Sequence, residues 1–170
     1  MKKVFVILMC CLGIAFTSCK PEPKPYEKFL GTYLGEILLE GKLTAPLFPD
    51  IELDLDGAHF ALEAKIDAGS SDDQVYVTFT VEDENHTVTG TVVDNTIQFG
   101  TLSYTYVETV SNTEFTVHLD LTGNLSADGN QIILTGPYTG EGGVTMNDIT
   151  LNMQANGSVT GNLNRLVEGK

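Results

Sequence analysis

Val75-Tyr76-Val77-Thr78-Phe79-Thr80-Val81-Glu82 and Phe115-Thr116-Val117-His118-Leu119-Asp120-Leu121 set the architecture. In both stretches apolar residues hold every second position, with hydroxyl or charged residues between them. That is the period of a half-buried antiparallel strand. From Phe29 onward no stretch repeats with the helical period, so the domain is expected to be all-β.

Turns between such strands are tested by face, because residues paired across a hairpin point to the same side of the sheet. A two-residue turn at Asp56-Gly57 sets Leu55 opposite Ala58, Leu53 opposite Phe60 and Ile51 opposite Leu62. One at Asp128-Gly129 sets Leu125 opposite Ile132, Leu121 opposite Gly136 and Leu119 opposite Tyr138. Asp94-Asn95 sets Val92 opposite Ile97 and Gly90 opposite Phe99. A three-residue loop, Ala155-Asn156-Gly157, sets Met153 opposite Val159 and Leu151 opposite Gly161. The apolar parity flips between Phe99 and Leu102, which places a bulge near Gly100.

These registers give an antiparallel up-and-down meander of about ten strands, at 29–40, 50–55, 58–67, 74–82, 86–93, 96–107, 114–125, 130–138, 143–153 and 158–166. A meander of this size closes into a barrel or folds into a two-layer sandwich. Closure removes the exposed edges, so the barrel is preferred. Membrane pores put apolar residues outside and polar ones inside, and the acidic second face of these strands fits that pattern poorly.

The chain has 170 residues and a formal net charge of −14, with 9 Lys+Arg against 23 Asp+Glu. Residues 1–18 hold two lysines and no acid, so 7 − 23 = −16 remains beyond them. Nucleic acid is an unsuitable partner for such a chain, since affinity for phosphate backbones comes from clustered Lys and Arg. Met1-Lys2-Lys3 followed by the apolar run Val4 to Phe16 reads as a signal peptide, too short to span a bilayer. Cys10 and Cys11 lie inside it, leaving one mature cysteine and no internal disulfide. Lys20-Pro21-Glu22-Pro23-Lys24-Pro25 then makes an extended spacer. The expected divisions are 1–18 signal, 19–28 lipidated cysteine and tether, and 29–170 barrel domain.

Thr17-Ser18-Cys19 resembles a lipobox, which implies acylation of Cys19 and contact with the membrane through lipid. Lys20 after that cysteine does not resemble an inner-membrane retention signal, so the implied location is the outer membrane of the cell envelope. Together with Phe29-Leu30-Gly31-Thr32-Tyr33-Leu34-Gly35 and Ser158-Val159-Thr160-Gly161-Asn162-Leu163, these features resemble the calycin-like (lipocalin-like) β-barrel lipoproteins of Gram-negative bacteria. The resemblance implies a lipocalin-type antiparallel barrel and brings no catalytic residues with it.

Glu52-x-Asp54-x-Asp56-Gly57 with Glu63 comes nearest to a metal motif. It imitates a calcium loop, but Leu53 and Leu55 alternate as strand residues. The hairpin register also sets Glu63 opposite Asp50 and His59 opposite Asp54. The stretch therefore reads as a solvated polar face. His59, His86 and His118 form no metal or nucleophile motif, so neither a cofactor nor enzyme activity is expected. The inward face carries Gly90, Gly123, Gly136 and Gly161, whose space is either filled by facing side chains or left as a cavity. Phe99, Tyr104, Tyr106, Phe115 and Tyr138 are the candidates to line such a lumen. Two functions are open: the barrel holds a small apolar or amphipathic ligand, or it is a non-catalytic interaction module. In the second case its loops, such as Ala68–Gln74, bind another envelope protein or a glycan.

Overall fold

β-Branched and aromatic side chains pack well on a pleated surface, and here they recur in one strand after another. The computed structural model describes residues 22–81, 83–110, 113–128, 130–146 and 149–167, with the side chains of all of these except 48–51, 53, 106–110, 113–115 and 146. The segments are β1 (Gly31–Ala45), β2 (Phe48–Asp54), β3 (Ala58–Ala68), β4 (Gln74–Val81), β5 (Glu84–Val93), β6 (Thr96–Val110), β7 (Thr113–Asp128), β8 (Gln131–Met146) and β9 (Ile149–Arg165). Each pairs antiparallel with its sheet neighbour, and β1 pairs with β9 from Tyr33↔Arg165 to Thr44↔Gln154. The meander is thereby closed into a β-barrel.

β2 and β3 do not pair with each other. The chain turns at Pro46-Leu47, where Ala45 faces Phe48, and both segments then run in series along the same edge of β1. Lys42 faces Asp54 and Leu39 faces Ala58, so residues 55–57 stand opposite only Glu40 and Gly41. The Leu55 N–H donates to the Gly41 carbonyl at 2.9 Å, and the Gly57 N–H to the Leu39 carbonyl at 3.3 Å. Gly57 has φ +90°, which favours glycine. Asp56-Gly57 is therefore a one-residue bulge, not a hairpin. With β2 and β3 counted as one stave, the barrel has eight.

This bulge corrects the registers built on the supposed turn. Glu63 pairs with Leu34 and Thr80, and His59 pairs with Leu38, so neither meets its expected acidic partner. The β7–β8 register is displaced by two from the expected one: Ala127 faces Ile132, Leu125 faces Leu134, and Leu121 faces Tyr138. Of the expected turn Asp128-Gly129, Gly129 lies outside the described residues. The loop expected at 155–157 is absent, because β9 runs unbroken through Asn156-Gly157 and Met146 faces Ile149 instead. The Asp94-Asn95 turn and the bulge between Phe99 and Leu102 stand as expected.

One end of the barrel, here called the base, is closed by the segment before β1. There the Phe29 N–H donates to the Tyr26 carbonyl at 2.9 Å, and the Phe29 ring is fully buried under the strands. The Tyr33 hydroxyl donates to the Phe29 carbonyl at 2.9 Å, while Arg165 lies over the Tyr33 ring and bonds its hydroxyl and the Lys28 carbonyl. Lys28 reaches the Asp94 carbonyl, and Lys24 pairs with Asp72 at 2.8 Å. Docking therefore begins at Lys24, several residues before the expected domain start at 29. Above this plug Ile66, Val75, Val77, Ile97, Leu125, Ile132, Leu134 and Leu163 form a dry core.

Candidate functional site: the far end of the barrel interior

The opposite end carries the Pro46-Leu47 turn and the pairs Val81↔Glu84, Val110↔Thr113 and Met146↔Ile149. Its wall is uneven. β5–β6 pairing stops at Gly90↔Phe99, while β6 to β9 continue far beyond. On the inward face of this taller wall, Tyr104, Leu119, Leu121, Val144 and Leu151 are only half-buried, in contrast with the dry core below.

Neighbouring atoms crowd each of the four inward glycines. A Cβ at Gly90 would sit 2.4 Å from Ile97 Cγ2, and one at Gly161 would sit 2.7 Å from Ile37 Cγ2. Phe99 Cζ covers Gly123 at 3.1 Å, and at Gly136 the Thr122 carbonyl oxygen comes within 2.0 Å. Phe99 itself packs against Phe79, with ring centroids 5.3 Å apart at 58°. It belongs to the core, at 6% exposure. The side chains of Tyr106 and Phe115 lie outside the described residues.

Tyr138 and Tyr104 differ from Phe99. Tyr138 lies across two facing glycines on neighbouring strands: a Cβ at either Gly41 or Gly157 would come within 2.7 Å of its hydroxyl oxygen. The glycines make room for the ring, and the ring is 3% exposed. Its hydroxyl is buried with no hydrogen-bond partner among the described residues. Burial pushes the Tyr138 hydroxyl pKa above its ordinary 10.0, and the negative charge of Asp56 adds to the shift. Tyr104 meets His86 edge-on, with ring centroids 5.6 Å apart. His86 is inward by alternation with Val88, Gly90 and Val92, and its Nε2 is likewise buried with no hydrogen-bond partner. Glu84 approaches that nitrogen only to 3.7 Å, too far for a hydrogen bond. In the sequence His86 belongs to no metal or nucleophile motif. The β5 parity signal would have turned it inward.

The acidic stretch is divided and internally engaged. The partners of Glu63 and Asp54 on β1, Leu34 and Lys42, are eight positions apart, roughly 27 Å along a strand. Lys42 holds Glu52 at 2.9 Å, and that bond raises the Lys42 pKa. Asp54 Oδ1 accepts from the Asp56 N–H, and Asp56 Oδ1 from the Gly41 N–H. These carboxylates brace the bulge. Cys19 lies outside the described residues.

No family model matches the chain, and comparison with curated proteins finds no match. The fold defines its class as an antiparallel β-barrel of meander topology.

Proposed function

We propose that the chain is an envelope lipoprotein, anchored at the outer membrane through lipid on Cys19, whose barrel is a non-catalytic module for a small amphipathic ligand. The signal and lipobox-like sequence support the anchor. The observation that carries the ligand reading is the buried Tyr138 hydroxyl, which has no hydrogen-bond partner among the described residues. A second buried atom without a hydrogen-bond partner among the described residues, His86 Nε2, faces inward as well, and half-buried apolar side chains stand at the same end. Buried polar groups are nearly always hydrogen-bonded, and leaving one unsatisfied costs about 1–3 kcal/mol. A molecule with an apolar body and a carbonyl or carboxylate oxygen would fill the mouth and accept from the tyrosine. Because the base is plugged by the tether segment, this reading points the mouth away from the bilayer.

The test uses the full chain purified from membranes in mild detergent and examined by native mass spectrometry. A bound small molecule is expected on the wild type and is expected to be depleted in Tyr138→Phe, which keeps the ring and removes only the hydroxyl. Bare protein in both preparations, or equal occupancy in both, rejects the reading. The interaction-module reading is favoured by a separate observation: Leu47 and Ile149, at the far-end turns, are 80% and 74% exposed. Capture of a stoichiometric envelope protein that is lost on Leu47→Ser with Ile149→Ser would support it.

A further inference from the structure

The outer wall of β7, β8 and β9 carries a polar lattice with one vacancy. Strand pairing aligns His118, Glu141 and Gln154 in one row, Thr116, Gly143 and Asn152 in the next, and Thr145 with Thr150 beyond. All alternate with inward residues such as Leu119, Val144, Met153 and Ala155, so all belong to the outward face. Gly143 occupies the centre of the lattice and contributes no side chain. Around it lies a cleft of about 810 Å³, open to solvent, with the Pro46-Leu47 turn as its end wall and Gly142 and Met153 also in its lining.

Neither backbone nor packing requires glycine at 143. Its φ lies outside the left-handed region, and a Cβ there would meet only the Thr150 methyl at 3.0 Å and the Leu151 carbonyl at 3.8 Å. Its neighbour Gly142 is different, because a Cβ there would lie 2.2 Å from the Thr116 carbonyl oxygen. Gly142 serves the close approach of two strands, whereas Gly143 keeps the floor of the cleft open.

The lining dictates what fits. The side chains of Glu141, Asn152 and Gln154 have no hydrogen-bond or ion-pair partner among the described residues. Thr145 and Thr150 bond each other at 2.9 Å, and His118 Nδ1 is held by the Thr105 hydroxyl at 2.8 Å, so these flanks are already ordered. Among the described residues no Lys or Arg lines the cleft, and the chain is strongly acidic, which repels phosphate and other anions. Two amides and a carboxylate match hydroxyl groups, which donate and accept at once. The exposed Pro46-Leu47 edge adds an apolar contact. Side chains on adjacent strands stand about 4.8 Å apart, so an elongated ligand crossing β8 and β9 meets successive polar groups.

We infer that this cleft is a binding site for a neutral, polyhydroxylated chain, an oligosaccharide. The polar side chains that would bind it belong to the outward face of β7, β8 and β9, opposite to the face that carries Tyr138.

Isothermal titration of the full chain with linear neutral hexasaccharides (an α-1,4-glucan, a β-1,4-glucan and a β-1,4-mannan) tests it. At least one is expected to bind with a Kd between micromolar and millimolar. Gly143→Leu, which fills the floor, is expected to weaken that binding by at least about tenfold. A second variant, Asn152→Ala with Gln154→Ala, alters only exposed side chains, keeps the fold question out of the result, and is expected to weaken it similarly. Tyr138→Phe is expected to leave it unchanged. No binding of any of the three sugars at millimolar concentration overturns the inference, as does undiminished affinity in the double alanine variant.

Discussion

Tyr138 shows how one residue links packing to chemistry. Its ring fits because Gly41 and Gly157 present bare backbone, and that fit leaves its hydroxyl buried with no hydrogen-bond partner among the described residues. Burial disfavours the tyrosinate, so the folded-state pKa is raised above that of the unfolded chain. The sign follows from linkage. The unfolded state loses the proton first, so this contribution to stability is whole below about pH 10 and declines as pH rises through the folded pKa. Urea midpoints measured at rising alkaline pH are expected to fall more steeply in the wild type than in Tyr138→Phe. Parallel slopes would show that the hydroxyl is solvated. The tyrosine was legible in the sequence as an inward aromatic. Its lack of a partner was not, because that depends on two glycines brought beside it by strands distant in sequence.

Among the turns, Asp94-Asn95 is the one read correctly at residue precision, and Asp94 shows why. It sits at φ 54°, a conformation open to Asp, Asn and Gly and resisted by β-branched residues. Asp94→Gly is expected to leave the urea midpoint unchanged or slightly higher. Asp94→Val is expected to lower stability by about 1–3 kcal/mol, and equal midpoints for the two variants would remove the backbone argument. The misread elements share a cause. A two-residue hairpin and a one-residue bulge both leave residues three apart on the same face, so Leu55 and Ala58 satisfy either. A three-residue loop and an uninterrupted strand both keep Met153 and Val159 on one face. A register slipped by two keeps every β7 and β8 side chain where it was. Parity is blind to all three, and tertiary pairing alone separates them.

At the scale of the molecule, the base plug ties the segment before β1 to the core. Removing the buried Phe29 ring by Phe29→Ala is expected to cost about 3–5 kcal/mol, which is roughly a 10 °C fall in melting temperature for a domain of this size. A shift of a degree or two would mean that the segment merely rests on the barrel. The same plug makes anchoring and folding separable under the lipoprotein reading. Cys19→Ser is expected to leave the chain folded, with an unchanged melting temperature, and to move it from the membrane pellet to the soluble fraction; persistence in the pellet after a carbonate wash would count against a lipid anchor. What the sequence determined by itself was the all-β class, the faces of the strands, the Gly100 bulge and the acidic exterior, because each follows from period-two alternation or local turn chemistry. Only the tertiary structure decided that β2 and β3 form one stave, that β1 closes on β9, and that Phe29 seals the base. It also set the burial of the Tyr138 hydroxyl against Gly41 and Gly157 and the place of Gly143 at the centre of the outer lattice. These depend on which carbonyl, glycine or ring stands across from a given residue, a matter of register between distant segments that no alternation along one strand can encode.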